Sequence, residues 1–121
     1  MTEFDAAPPA LTPEAAVQGQ LDAYNARDLT GFLSFYAEDI RGFRLGDAAP
    51  LFAGKSAMAA HYAASFKQLD VRAALVNRIV VGNKVFDHER LTGGGRPTYD
   101  AVVIFQVHGG LIRAVWLADA S

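Results

Sequence analysis

"YDAVVIFQVHGGLIRAVWLA", residues 99–118, is the stretch on which the fold turns. Two apolar runs, 99–107 and 111–118, flank the turn sequence "HGG", and both follow a period of two rather than 3.6. Such a pair around a glycine turn forms an antiparallel hairpin. Both alternating sets are apolar, Val102 and Ile104 as well as Val103 and Phe105, so each face of the hairpin needs cover. Upstream, "KVFDHERL" (84–91) and "VRAALVNRIVV" (71–81) read as two more strands, set off by "GN" and "TGGGRP". The second half of the chain is therefore a four-strand meander.

The first half has a different period. "TPEA" supplies an N-cap at Thr12, a first-position proline at Pro13 and an acidic first turn at Glu14. Val17, Leu21 and Tyr24 then recur at helical spacing, with the polar Gln20 on the same face. A second helix is predicted after Asp28, its inner stripe running through Leu29, Phe32, Leu33 and Tyr36. "IRGFRL" (40–45) reads as a short strand and "LFA" (51–53) as a brief apolar one. A third helix is predicted over 56–69, with Met58, Tyr62, Phe66 and Leu69 on its stripe and His61 at the edge. Helices followed by a strand meander define an α+β class. Residues 1–11, with prolines and few apolar side chains, are expected to be a flexible tail before a single domain over 12–121.

Composition removes several function classes. The 121 residues are 51% hydrophobic and 20% charged with net charge -2, which offers nucleic acid and acidic membranes no electrostatic footprint. Zero cysteines exclude disulfides, thiolate nucleophiles and thiolate-bound metals, and fit a cytoplasmic location. The opening "MTEFDAAPPALTPEAA" lacks the basic head and apolar run of a signal peptide. No apolar run approaches the ~20 residues of a membrane span. The glycines of "TGGGRP" lack the strand-before, helix-after setting of a phosphate loop.

The element order resembles the nuclear transport factor 2-like superfamily, in its SnoaL-like and ketosteroid isomerase-like branch. "AYNARD" (23–28), "SFYAED" (34–39), "GKSAMAAHY" (54–62) and "VHGGLIRAVW" (107–116) carry the likeness, in order, across roughly residues 13–118. The resemblance implies a cystatin-like fold: a cone-shaped, curved mixed sheet wrapped over three N-terminal helices, enclosing an apolar pocket. It also implies a homodimer paired through the sheets. Mapped onto this chain, the three polar positions of the steroid isomerases fall on Arg44, Gln20 and Val103, none of which can serve as the Asp base, the oxyanion Tyr or the acidic Asp. Asp-base steroid isomerisation is therefore not expected.

The resemblance further implies that the even-numbered side of strand 84–91 faces the pocket, bringing in Phe86, His88 and Arg90. The chemistry of burial points the same way, because the opposite face would bury Asp87 and Glu89. His61 and His88 are then expected to converge on the pocket, either one serving as general base or acid, a role imidazole fills near neutral pH. Gln20, Tyr24, Arg44, Tyr62, Phe86, Arg90, Val103, Phe105 and Leu117 are the expected substrate-binding set, with Ala101 and Trp116 as further wall. With Arg44 and Arg90 inside, the ligand would be a small apolar or carboxylate-bearing molecule. No metal and no cofactor is expected. The alternatives at each position are that the histidines only line the pocket, that Arg44 pairs with Asp47, that Arg90 turns to a neighbouring carboxylate, and that Asp87 and Glu89 face outward, pairing with Arg78. Two function classes stay open: an acid–base enzyme of isomerase, cyclase or hydrolase type, and a non-catalytic ligand-binding or accessory dimer.

Overall fold

The first helix starts where its capping chemistry says it should. In the computed structural model, which describes residues 10–119, Thr12 Oγ1 accepts a hydrogen bond from the Ala15 amide at 3.1 Å and α1 runs Pro13–Asn25. The expected tail lies outside the described residues except for Ala10 and Leu11, which are exposed and in no element.

"AYNARD" then does three jobs. Asn25 pairs through its side chain with both backbone groups of Ala73, at 2.8 and 2.9 Å, fixing the end of α1 to the sheet. Arg27, in the left-handed region at φ 55°, slots its guanidinium between the rings of Tyr24 and Phe66, 4.5 and 4.6 Å from their centroids. Asp28 caps α2, Leu29–Leu33, by accepting from the Gly31 amide at 3.0 Å.

That second helix is only five residues long, so the expected stripe stops short of Tyr36. "FYAEDI" can be read at either period, and long-range pairing decides for the strand. Ser34 Oγ closes the helix on the Gly31 carbonyl at 2.6 Å, and the Ile112 amide donates to the Phe35 carbonyl at 2.9 Å. The strand β1 therefore spans Tyr36–Arg44, starting four residues before the expected 40–45. The short β2 is Phe52–Ala53. The third helix, α3, is Lys55–Phe66 and ends three residues before the predicted Leu69.

The strands β3 (Arg72–Val81), β4 (Lys84–Thr92), β5 (Tyr99–His108) and β6 (Leu111–Asp119) form the expected meander. The sheet order is β2-β1-β6-β5-β4-β3, with β1 and β6 parallel and every other pair antiparallel. Register shifts within Tyr36–Arg41, Leu75–Asn77 and Gln106–Val107 are the bulges that bend an otherwise regular ladder. The result is an open, curved mixed sheet folded over three helices. Val17 from α1, Phe32 from α2, Met58 from α3 and Ile40, Val85, Phe105, Ile112 and Val115 from the sheet share one core. No helix among the described residues is long and apolar enough to cross a membrane.

The inward face of β4 is the reverse of the expected one. Val85, Asp87 and Glu89 are buried at 0%, 0% and 7% exposure, while His88 and Arg90 look out the other side. Two compensations make burial of the carboxylates tolerable. Arg78, directly across on β3, grips Asp87 with Nε and Nη2 at 2.7 and 2.9 Å, neutralising it in place. Glu89 instead holds its proton more tightly: burial, and secondarily the Asp87 charge, raise its pKa to about 7 against the opposing pull of Arg78.

Candidate functional site

Helices and sheet enclose a cavity of about 360 Å³. Its helix-side wall is aromatic. The Phe32 ring is the hub, with centroids 5.9 Å from Tyr24, 5.0 Å from Tyr36 and 5.2 Å from Tyr62, in tilted or edge-on contacts. All four tyrosines of the chain line the space, Tyr99 being the fourth. The sheet side contributes Ala101, Val103, Phe105, Val115, Leu117 and, as the one buried carboxyl among the described residues that line the cavity, Glu89.

Gln20 is buried at 5% exposure with both ends occupied. Its Nε2 donates to the Val17 carbonyl at 3.0 Å, and its Oε1 accepts from the Tyr36 hydroxyl at 2.8 Å. It is thus a bracket for the Tyr36 phenol. Tyr36 and Tyr62 both resist ionisation, chiefly through burial. Neighbouring tyrosine and then Glu89 add to this for each, with Tyr99 a last contribution at Tyr62. Both phenols therefore stay neutral, and the Tyr36 hydroxyl donates its proton to Gln20.

Glu89 has no hydrogen-bond or ion-pair partner among the described residues. Its neighbour along the strand, Asp87, is clasped by Arg78, which also donates to Gln18 Oε1 at 2.9 Å and lies 3.8 Å from Glu14. Glu89 thus meets the cavity as a carboxyl group poised between its two protonation states at neutral pH.

The other charged groups sit at the mouth. Arg44 faces Asp119 at 3.6 Å and not Asp47, the alternative partner, and Arg96 lies over the Tyr99 ring at 4.7 Å. His61 is exposed there, its ring 5.2 Å from Phe52 and 5.0 Å from Tyr62.

Of the residues expected to form the site, Gln20, Tyr24, Arg44, His61, Tyr62, Val103, Phe105 and Leu117 do line the cavity. His88, Phe86 and Arg90 do not, and the expected convergence of His61 with His88 is overturned. His88 Nε2 is 2.8 Å from Asp100 Oδ2, and Arg90 pairs with the same carboxylate through Nε at 2.8 Å and Nη2 at 3.1 Å. These hydrogen bonds, Arg90 first and His88 second, lower the Asp100 pKa to about 2, so His88 Nε2 carries the proton toward an ionised partner. Phe86 and Trp116 also stand on this outer face, in a row with Ile79 and Ile104. With Arg90 outside and Glu89 inside, the expectation of a cavity rich in cations fails.

The residues missed were Glu89, Tyr36, Tyr99 and Arg96. Ladder parity carried the signal for Glu89. Directly opposed residues on antiparallel strands share a face, so the inward Val103 and Phe105 take Asp87 and Val85 inward with them. Among the described residues, no cluster of three His, Cys, Asp or Glu side chains could hold a metal ion.

An open mixed sheet wrapped over three helices, with a cavity in its concave side, defines the nuclear transport factor 2-like superfamily. Within it, the chain belongs to the SnoaL-like domain family, whose model matches residues 17–115. Its structure is similar to that of an uncharacterised cystatin-fold protein from Novosphingobium aromaticivorans, with TM-score 0.81 and 22% identity, covering 89% of this chain and 98% of that one. It is also similar to a protein from Kribbella flavida provisionally named a ketosteroid isomerase, with TM-score 0.77 and 19% identity, over 90% of this chain and 78% of that one. A protein from Sinorhizobium meliloti provisionally named a polyketide cyclase gives TM-score 0.73 and 17% identity, over 97% and 99% of the two chains. No curated protein matches the chain.

Proposed function

We propose that the chain is a small cytoplasmic acid–base enzyme of isomerase or cyclase type. Its substrate is a compact, mostly apolar molecule bearing one carbonyl or enolisable group. The observation behind this reading is Glu89: a carboxyl 7% exposed, lining the cavity without a partner among the described residues, and titrating at about 7. A group half-protonated at the working pH can take a proton from carbon and return it. The Tyr62 phenol, kept neutral by burial, would donate to the substrate oxygen as charge develops there. His61 at the mouth would exchange the proton with solvent.

The test does not require the natural substrate. A panel of small cyclic enolisable ketones is incubated with the protein in D₂O, and deuterium uptake at the α-carbon is followed by NMR. Protein-dependent uptake that Glu89→Gln abolishes and His88→Gln leaves intact supports the assignment. Retention of uptake in Glu89→Gln refutes it. Tight binding across the panel without uptake would favour the non-catalytic reading.

A second copy of this chain is the proposed protein partner. Ile79, Phe86, Ile104, Trp116 and Phe43 stand side by side across five strands of the outer sheet face, and Ile79 is 55% exposed. A row that apolar on the convex face of a sheet needs cover.

A further inference from the structure

Three carboxylates of the inner face and the rim have a cation or none, and the difference is informative. Asp87 has Arg78 and Asp119 has Arg44, while Glu89 has neither a cation nor a hydrogen-bond donor among the described residues. It is also the one of these that lines the interior of the cavity rather than the rim or the packed core. Among the described residues, the basic side chains that reach the cavity, Arg44, Arg96 and His61, are all exposed and all in contact with other groups: Arg44 with Asp119, Arg96 with the Tyr99 ring, and His61 with the rings of Phe52 and Tyr62. Among the described residues, the interior therefore holds an anion-forming group, no cation, and a continuous aromatic wall built around Phe32. Ring faces attract cations, and the attraction grows when water is excluded.

We propose that the cavity, in the form in which Glu89 is ionised, is a binding site for a small organic ammonium ion, with its charged head on Glu89 and its carbon groups against Tyr24, Phe32, Tyr36 and Tyr62. This inference rests on the placement of Glu89 in the cavity described above, and not on Glu89 turning over a substrate. The two protonation states give the cavity two ligand classes. The neutral carboxyl offers a donor to an uncharged oxygen, and the carboxylate offers a counter-ion to an ammonium of similar size. A volume of about 360 Å³ suits a ligand of roughly ten to fifteen heavy atoms.

The groups that face Glu89 set the expected pH dependence. The phenols of Tyr36 and Tyr62 stay neutral through the neutral range, the Tyr36 proton being committed to Gln20, Tyr24 and Tyr99 add two further hydroxyls to the cavity, and Asp87 stays compensated by Arg78. At the mouth, Arg44 is offset by Asp119, which leaves Arg96, among the described residues, as the rim charge a cation must pass.

Phenyltrimethylammonium and tert-butylbenzene have the same shape and differ in charge, so they serve as the probe pair. Each is titrated into the full chain at pH 6 and pH 8 and followed by NMR. With Glu89 titrating at about 7, its ionised fraction rises from about one-eleventh to about ten-elevenths, so the affinity of the cation should rise roughly tenfold. The affinity of tert-butylbenzene should not rise. Glu89→Gln should remove the preference for the cation at pH 8 while tert-butylbenzene still binds, which shows that the cavity has survived the substitution. His61→Gln should keep the tenfold rise. Equal affinity for the two probes in the wild type at pH 8, a rise that persists in Glu89→Gln, a rise that disappears in His61→Gln, or failure of both probes to bind would each overturn the inference. Loss of deuterium exchange in Glu89→Gln would leave the acid–base reading standing even then, so the two readings can fail separately.

Discussion

Replacing Glu89 by glutamine should make the protein more stable at pH 8, and the gain should vanish in acid. In the fold Glu89 titrates at about 7, against 4.5 for a free side chain. At 1.36 kcal/mol per pH unit that gap amounts to about 3 kcal/mol. A carboxyl whose pKa is raised by folding binds its proton more tightly in the native state. Its favourable contribution is therefore complete below pH 4.5 and is lost as the pH climbs through 7. Glutamine has nearly the same shape and never ionises, so it carries no such dependence. The expected difference in unfolding free energy, variant minus wild type, is near zero at pH 4 and approaches 3 kcal/mol, as an order-of-magnitude figure, at pH 8. Urea unfolding followed by the fluorescence of Trp116, the single tryptophan, measures it across that range at one protein concentration, so that any association equilibrium is held fixed. A difference that stays flat from pH 5 to pH 8, or a variant less stable than the wild type at pH 8, would refute the claim that Glu89 is buried and uncompensated. A group that lowers stability at neutral pH while sitting in a cavity is the pattern expected of a functional carboxyl rather than a packing one.

Arg78→Met should cost about 3–5 kcal/mol, because it strands the fully buried Asp87, and the double variant Arg78→Met, Asp87→Leu should recover most of that loss in the same urea assay. Ile104→Arg, aimed at the outer apolar row, should shift the mass measured by light scattering from dimer to monomer at micromolar concentration, and a wild type that is already monomeric there would remove the case for pairing. Arg90→Met should leave cavity ligands bound as before, because its guanidinium is committed to Asp100 on the opposite face. Purified protein should not isomerise a β,γ-unsaturated ketosteroid by the Asp-base route, since the cavity positions Gln20, Arg44 and Val103 supply no carboxylate, and rapid conversion would show that another group substitutes.

The helical cap at Thr12, the glycine turns and the strand meander were legible because each depends on local chemistry: a hydroxyl for an orphan amide, a left-handed residue for a tight turn, a period of two for a pleat. The segment around Tyr36 was not. Its apolar residues fit a helical stripe as well as a strand, and what captures it is β6, more than seventy residues away, through Ile112 and the parallel ladder. The wall of the site was also largely legible, since Tyr24, His61, Tyr62, Val103, Phe105 and Leu117 all lie on it. Its chemistry was misread, because one strand was turned over.

That error has a definite physical origin. Weighing β4 alone sets a histidine and an arginine against two carboxylates, and the solvation of isolated charges favours burying the histidine face. The relevant quantity belongs to three strands. On β3, Arg78 stands opposite Asp87 and cancels its charge with two hydrogen bonds, while on β5, Asp100 stands opposite Arg90 and also reaches His88, holding both side chains outside. Each charged residue in the middle of β4 except Glu89 thus has its partner on a flanking strand, and the apolar residues Val103 and Phe105 lock the register that delivers those partners. Glu89 is the remainder of this pairing: the ladder carries it inward with Val85 and Asp87, opposite Ala101, where no described residue pairs with it. Its proximity to neutrality and its exposure to the cavity are therefore two results of one register, and the site's chemistry follows from the same ladder that builds the fold.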